Sequence, residues 1–417
     1  MALYALLVCS ACAAPRASVE SQPTTPAPQE TTEARPPHVE VEVPLAPPEP
    51  PARAPLPRET KRPALALGAQ HSCLLSAQGE IFCWGANRFG QLGHGGEMGY
   101  REFETRPQRV GEGYIRIAGG TWNTCGLRED GQVDCWGHGG FGQLGGERLD
   151  SPSPLRMDVD DVVEMAVGGG HICLLRRDST LWCRGDNAMG QLGLSERGAH
   201  PSFENVGFAD SVYAGRAHTC VRDGAELSCF GENLDAQLGS GERSDAQYSR
   251  TPVLSVGASE TYRGFALGGG HSCVVRGDHG YCWGRNDSFQ LGAAATEDEG
   301  PTRYVPAPFD VGVVDELALG ARFTCALAEG RVQCMGLGHR GQIGDGGRRM
   351  RRTWTRVPNL RDASHVATGA EHACAVSRGS VRCWGSGRRG QLGDAHSEDR
   401  ARPVRVVGLR RDQLQAE

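Results

Sequence analysis

The sequence predicts an all-β, seven-bladed propeller built from repeats of about fifty residues, the period range of solenoids, propellers and arrays. Three observations carry this. Paired cysteines recur seven times at separations of nine or ten residues: Cys73 with Cys83, Cys125 with Cys135, Cys173 with Cys183, Cys220 with Cys229, Cys273 with Cys282, Cys325 with Cys334 and Cys374 with Cys383. A glycine stands five residues before each first cysteine (Gly68, Gly120, Gly168, Gly215, Gly268, Gly320, Gly369). Each unit closes on Gly-Gln-Leu-Gly or a near copy, such as Gly90-Gln91-Leu92-Gly93 and Ala236-Gln237-Leu238-Gly239.

The stretch between paired cysteines reads as two short strands about a turn. In the second unit Cys125-Gly126-Leu127 leads to Asp130-Gly131 and on to Gln132-Val133-Asp134-Cys135. Asp-Gly between short apolar runs is a hairpin signal. Such a hairpin sets the two cysteines opposite each other, about 4.5 to 5.5 Å apart at Cα, within reach of a disulfide. Buried free thiols are the alternative; zinc is disfavoured because two thiolates nine or ten residues apart lack the Cys-x-x-Cys knuckle. Runs such as Tyr114-Ile115-Arg116-Ile117 and Pro107-Gln108-Arg109-Val110 add two more strands per unit. A four-stranded sheet of this size buries its faces only by stacking on its neighbours.

The repeated glycines imply backbone that a Cβ would block. Two residues beyond the glycine that follows each second cysteine stands Asn or Gly (Asn87, Gly139, Asn187, Asn233, Asn286, Gly338, Gly387), which predicts a turn with positive φ there. Ring closure is expected by pairing of the C-terminal strand, Arg402-Pro403-Val404-Arg405, with the N-terminal Leu65-Ala66-Leu67 in one shared blade, hiding both edges.

These residues resemble the regulator of chromosome condensation repeat, whose unit runs roughly Gly-x-x-His-Ser/Thr-x-Ala-Leu, a turn, then Val-x-x-Trp-Gly-x-Asn-x-x-Gly-Gln-Leu-Gly. The fifth unit carries Gly268-Gly269-Gly270-His271-Ser272-Cys273, then Cys282-Trp283-Gly284-Arg285-Asn286, then Gln290-Leu291-Gly292. The resemblance covers about residues 64–409 and implies a seven-bladed propeller. The cysteine pairs depart from the commonest intracellular members. Guanine nucleotide exchange, the activity of the family's nuclear founder, is the alternative function the resemblance brings. A polysaccharide-acting enzyme with its site at the propeller axis is a third reading.

Four segments are expected. Residues 1–12 resemble a lipoprotein signal ending at Cys12 as the lipidated residue, with cleavage of a plain signal as the fallback. Residues 13–63, rich in Pro, Thr, Glu and Ala, lack the apolar side chains for a core and read as a stalk. The propeller follows over 64–409 and a C-terminal tail over 410–417. Of sixteen cysteines, the fourteen outside the signal all fall into pairs, which suits an oxidising compartment and an exported protein of a bacterial envelope.

No nucleophile elbow, phosphate loop, metal-ligand spacing or carboxylate pair stands apart from the repeat, so a non-enzymatic module without cofactor or metal is expected. His71, His171, His218, His271 and His372 recur two residues before the first cysteine, with Asn123 and Phe323 in the other two units; repetition argues for structural hydrogen bonds. What does not repeat is the basic run Arg348, Arg349, Arg351, Arg352 with Trp354, and Arg340, Arg388 and Arg389 in nearby turns. Arg and Trp are favoured interface anchors. They make these eight residues the candidate docking site for a protein or an anionic polymer. Acidic segments lie at Asp158–Asp161 and Glu297–Glu299. A formal net charge of −6 argues against nucleic acid, and a monomer held to a membrane by lipid alone is expected.

Overall fold

The computed structural model describes residues 63–146, 149–253, 262–292, 300–309 and 311–414. The signal with Cys12, nearly all of the stalk and Glu297–Glu299 lie outside the described residues.

Seven four-stranded antiparallel sheets are built, each from four strands consecutive in the chain. The first blade is Ala64–Leu67, His71–Leu75, Ile81–Ala86 and Phe103–Gly111; the last is Ala363–Thr368, His372–Ser377, Ser380–Gly385 and Arg400–Arg405. Inner strands neighbour one another around an axis, from Ala64–Leu67 round to Ala363–Thr368 and back. Burial falls outward: the second strands are buried almost throughout, whereas Phe103–Gly111 is half-exposed. The core is therefore seven interblade layers.

All seven expected cysteine pairs are disulfides, each joining the second and third strands of one blade. Cys73 bonds Cys83, Cys125 bonds Cys135, Cys173 bonds Cys183 and Cys220 bonds Cys229. In the last three blades Cys273 bonds Cys282, Cys325 bonds Cys334 and Cys374 bonds Cys383. The alternative of buried free thiols is thereby set aside. Partners sit in direct register, as Cys173↔Cys183, Cys220↔Cys229 and Cys325↔Cys334. Their Cα atoms lie 4.0–4.1 Å apart, closer than the 4.5 to 5.5 Å expected, because each pair draws its two strands together.

Two further expectations are corrected. Positive φ falls not on the Asn/Gly position but on the glycine two residues before it: Gly85 (108°), Gly231 (113°) and Gly385 (99°), with the other four units alike. There the third strand slips register against the outer strand, a bulge after the cysteine in every blade. A Cβ on Gly85 would lie 2.6 Å from the Gln70 carbonyl. The asparagines act through their side chains instead. Asn87 Oδ1 accepts from Leu92 N (3.2 Å) and Asn187 Oδ1 from Leu192 N (2.9 Å), folding the loop back on itself. In the units with glycine here, backbone takes up the space: a Cβ on Gly387 would lie 1.9 Å from the Glu398 carbonyl.

Ring closure also differs. Ala64–Leu67 pairs with the next strand in the chain (Leu65↔Leu74), and Arg400–Arg405 pairs with Ser380–Gly385 (Cys383↔Val404); the chain ends share no blade. The N-terminal strand begins a unit rather than completing the last one, so closure is by face-to-face packing. Leu65, Leu67, Leu74 and Trp84 of the first blade form one cluster with Val376, Val381, Leu392 and Val406 of the seventh. Leu409 and Leu414 join that cluster, and the 3₁₀ turn Asp412–Leu414 is held by Ala77 N donating to the Gln413 carbonyl (2.9 Å) and Gln78 Nε2 to that of Asp412 (3.0 Å).

Candidate functional site

The repeated polar residues bind the blades to one another. In five interfaces the histidine reaches a Ser or Thr of the following blade: His71 to Thr124 (2.9 Å), His171 to Thr219 (2.8 Å), His218 to Ser272 (3.0 Å), His271 to Thr324 (3.0 Å) and His372 to Ser72 (2.8 Å). Each hydroxyl donates onward to the backbone carbonyl of the Gln in Gly-Gln-Leu-Gly, as Thr219 to Gln191 (2.7 Å) and Ser72 to Gln391 (2.9 Å). The next blade's indole donates to the same kind of carbonyl: Trp84 to Gln391 (2.9 Å) and Trp283 to Gln237 (2.8 Å). Since the hydroxyl's hydrogen is used, histidine Nε2 must carry the proton it donates, leaving Nδ1 bare and without a partner in all five. Burial pushes His71 and His171 down to about 4 and His218, His271 and His372 down to about 3. The glycine before each histidine gives way to its ring: a Cβ on Gly68 would lie 2.0 Å from His71 Cε1.

Several positions substitute within this scheme, among them Phe230 and Met335 in tryptophan slots. Phe323 replaces histidine and faces Ala373; both are fully buried in one apolar cluster. Arg184 occupies a tryptophan slot, and its Nε donates to the Gln143 carbonyl (2.9 Å) as an indole would, with Asp158 2.9 Å away. Asn123 sits opposite Ile172, and both its amide atoms lack partners.

At the axis, a funnel of about 200 Å³ is walled by the turns between first and second strands. It presents Gly, Ala, Leu and Val, with Thr121, Thr368 and Arg216 its polar side chains. Backbone bonds rim it from blade to blade, as Ala69 N to Thr121 O (3.0 Å) and Ala321 N to Ala370 O (3.0 Å).

Variation is concentrated on the same face, in the loops between third and outer strands. The side chain of Asp399, 5% exposed, lies 3.3 Å from Arg340, 3.6 Å from Arg388 and 3.7 Å from Arg348. Three guanidiniums on one carboxylate leave a local positive excess. Glu371 meets His339 (3.2 Å) and Arg340 (3.9 Å) alongside. Arg389 crosses from the seventh blade to the first, donating to the Tyr100 carbonyl (2.9 Å) with its guanidinium 4.3 Å over the Tyr100 ring. Tyr100 is 67% exposed. Arg88 stands 5.5 Å from the same ring and 4.8 Å from Phe89. An aromatic run continues round the rim: Phe89 on Trp122 (5.7 Å) and His138 (4.6 Å), then His138 on Phe141 (5.4 Å). Burial, then the charge of Arg88, hold His138 below its ordinary range against the pull of Asp150. Further round, Asp235 and Asp287 lie 3.7 Å and less from Arg285.

Of the eight candidate residues, the structure gathers Arg340, Arg348, Arg388 and Arg389; Arg349 is exposed beside them. The others have engagements of their own. Arg351 is bound to Asp345 (2.7 Å), Arg352 covers Phe289 (4.4 Å), and Trp354 packs half-buried on Phe309 (5.2 Å). Sequence reasoning missed Asp399, Tyr100, Phe89 and Phe141. Their signal was position: Phe89, Phe141 and Arg389 all stand two residues before the Gln of Gly-Gln-Leu-Gly.

A disulfide-pinned seven-bladed propeller with an unequal rim is the class of molecule so defined. A family model described as the RCC1-like domain matches residues 37–359, and the chain belongs to that family. It is 42% identical over 101 residues to RCC1 domain-containing protein 1 of Mus musculus, covering 23% of this chain and 26% of that one. The chain spans about a quarter of the length of the first such relatives. Ultraviolet-B receptor UVR8 of Arabidopsis thaliana is 29% identical over 291 residues, 68% of this chain and 54% of that protein. Among solved structures, human WBSCR16 superposes with a TM-score of 0.70 at 23% identity, covering 79% of this chain and 94% of that one. Prp20p of Saccharomyces cerevisiae gives 0.68 at 21%, covering 75% and 81%. These likenesses speak to fold.

Proposed function

We propose that this chain is a non-enzymatic protein-capture module, exported and displayed on a bacterial cell envelope by a lipid at Cys12 and a stalk over residues 13–63. The observation that carries the reading is the rim around Asp399. The repeated His, Ser/Thr, Trp and Gln are consumed between blades, whereas Arg340, Arg348 and Arg388 converge on Asp399 and the adjacent Arg389 reaches Tyr100, on loops that differ from blade to blade. Arginine over an exposed tyrosine is hot-spot chemistry, and guanidiniums in excess of their carboxylate suit an acidic protein surface. Seven disulfides support an oxidising compartment. One relative of the same fold, in two structures, supports capture of proteins: Prp20p was crystallised in work on its binding to Gsp1p and histones, and in complex with Kap60.

The test is a crosslinking pull-down from the native host's envelope fraction with the full chain and with Arg388→Glu/Arg389→Glu. One stoichiometric protein retained by the first bait and lost by the second is expected. Equal retention by both rejects the rim as the site, and retention by neither rejects capture.

A further inference from the structure

We infer that the opposite face of the propeller, at the junction of the sixth and seventh blades, holds an oxyanion site that takes a phosphate or sulfate ester group. The site lies where the link between these blades passes the hairpin of the seventh. Val357 and Leu360, both fully buried, pin that link and leave Arg361 at the surface. Ser377 Oγ, itself nearly inaccessible, donates to the Arg361 carbonyl (2.7 Å) and fixes the backbone beneath the guanidinium. Ser380 Oγ donates to the Ser377 carbonyl (2.9 Å) and stiffens the turn.

The resulting cleft, about 250 Å³, is lined by Asn359, Arg361, Ser377, Arg378, Ser380 and Arg382. Three guanidiniums and one amide supply its free donors, the two hydroxyls being spent on backbone carbonyls, and no carboxylate lines it. A second cleft of about 400 Å³ shares Arg361 and is lined as well by Arg331, Arg356, Glu329 and Asp362. Asp362 is taken by Arg378 (2.9 Å). Among the described residues, no carboxylate pairs with Arg331, Arg356, Arg361, Arg382 or Arg405.

Arg382 and Arg405 moreover stand directly opposite each other on adjacent strands. Like charges in that register destabilise a sheet unless something neutralises them. The rim on the other face is different: there Asp345, Asp394 and Asp399 each hold an arginine. A cleft walled by three guanidiniums with no carboxylate in its lining, on planar forks suited to bidentate contact, matches a tetrahedral oxyanion.

The experiment is isothermal titration of the full chain with inorganic phosphate and with inorganic sulfate at low ionic strength, with chloride as reference. Arg361→Gln and Arg382→Gln are compared with Arg388→Gln on the rim. Saturable binding of at least one oxyanion is expected, weakened about tenfold or more by each cleft variant and unchanged by the rim variant. Preference for phosphate assigns a phosphomonoester and preference for sulfate a sulfate ester. No saturable heat with either ion overturns the site, as does equal weakening by Arg388→Gln. Thermal melting without anion supplies a second readout. Arg382→Gln relieves the repulsion with Arg405 and raises the melting temperature; a lowered one refutes the like-charge argument.

Discussion

Acidification should loosen the propeller at its blade interfaces, well above the range in which carboxylates titrate. Five histidines are wholly buried as neutral donors, and their pKa values fall from 6.5 to about 4 or about 3. Above pH 6.5 folded and unfolded chains are alike, with all five neutral. Below it the unfolded chain takes up protons that the folded chain refuses, so stability is lost as pH falls from 6.5 towards the folded values. Each group costs about 1.4 kcal/mol per pH unit in that window. At pH 5.5 five histidines together remove about 7 kcal/mol, an amount comparable with the whole stability of many domains. His138, also lowered, adds to the loss, whereas His365, raised despite its burial by its bond and charge contact with Glu316, opposes it. The assay is urea unfolding under non-reducing conditions, followed by tryptophan fluorescence between pH 7.5 and 5.0. The midpoint should fall steeply below pH 6.5. Replacing one interface with the apolar pairing the chain already uses at Phe323 and Ala373, as His71→Phe with Thr124→Ala, should remove about a fifth of the slope, one histidine's share. A midpoint flat from pH 7.5 to 5.5, or a slope unchanged in that double variant, would refute the reasoning.

Three further outcomes are expected of the same framework. Asn123, buried with both amide atoms unpartnered opposite Ile172, is a defect that Asn123→His with Ile172→Thr should repair, raising stability by about 1 to 3 kcal/mol in the same urea assay. Gly68→Ala drives a Cβ to 2.0 Å from His71 and 2.5 Å from the Gly120 carbonyl and should lower the melting temperature sharply, whereas Gly146→Ala, with open space around it, should leave it within a degree or two. Arg184→Leu strands the Gln143 carbonyl and should cost about 1 to 3 kcal/mol, with Arg184→Trp recovering part of the loss by restoring an indole donor; thermal denaturation of the pair measures both.

The strands and their pairing were legible because a turn stands between paired cysteines and the pattern is written seven times. A hairpin of nine or ten residues leaves Cys73 little choice but Cys83, and Cys220 little choice but Cys229. The place where one blade ends and the next begins was not legible, for a physical reason. A ring of identical units reads the same from any starting point, and only the pairing of Leu65 with Leu74 decides to which blade the first strand belongs. Asparagine misled because it has two talents, tolerance of left-handed backbone and a side chain that bonds nearby amides. Asn87 uses the second, while Gly85 takes the dihedral. The rim was half legible. Arg340, Arg388 and Arg389 stood out as charges breaking the repeat, but the contact of Arg389 with Tyr100 joins residues 289 positions apart, and no local pattern announces it. Trp354 looked like a surface anchor until Phe309 was found beneath it.

Every disulfide joins cysteines that are neighbours in the order of synthesis, and none crosses between blades. The first cysteine of each pair is thus followed along the chain by its native partner before any later cysteine. Pairing each cysteine with the next one to arrive yields the observed connectivity. Reduction of any one bridge likewise loosens a single hairpin and leaves the other six closed, which makes the ring tolerant of partial oxidative damage in a way that a knotted small domain is not.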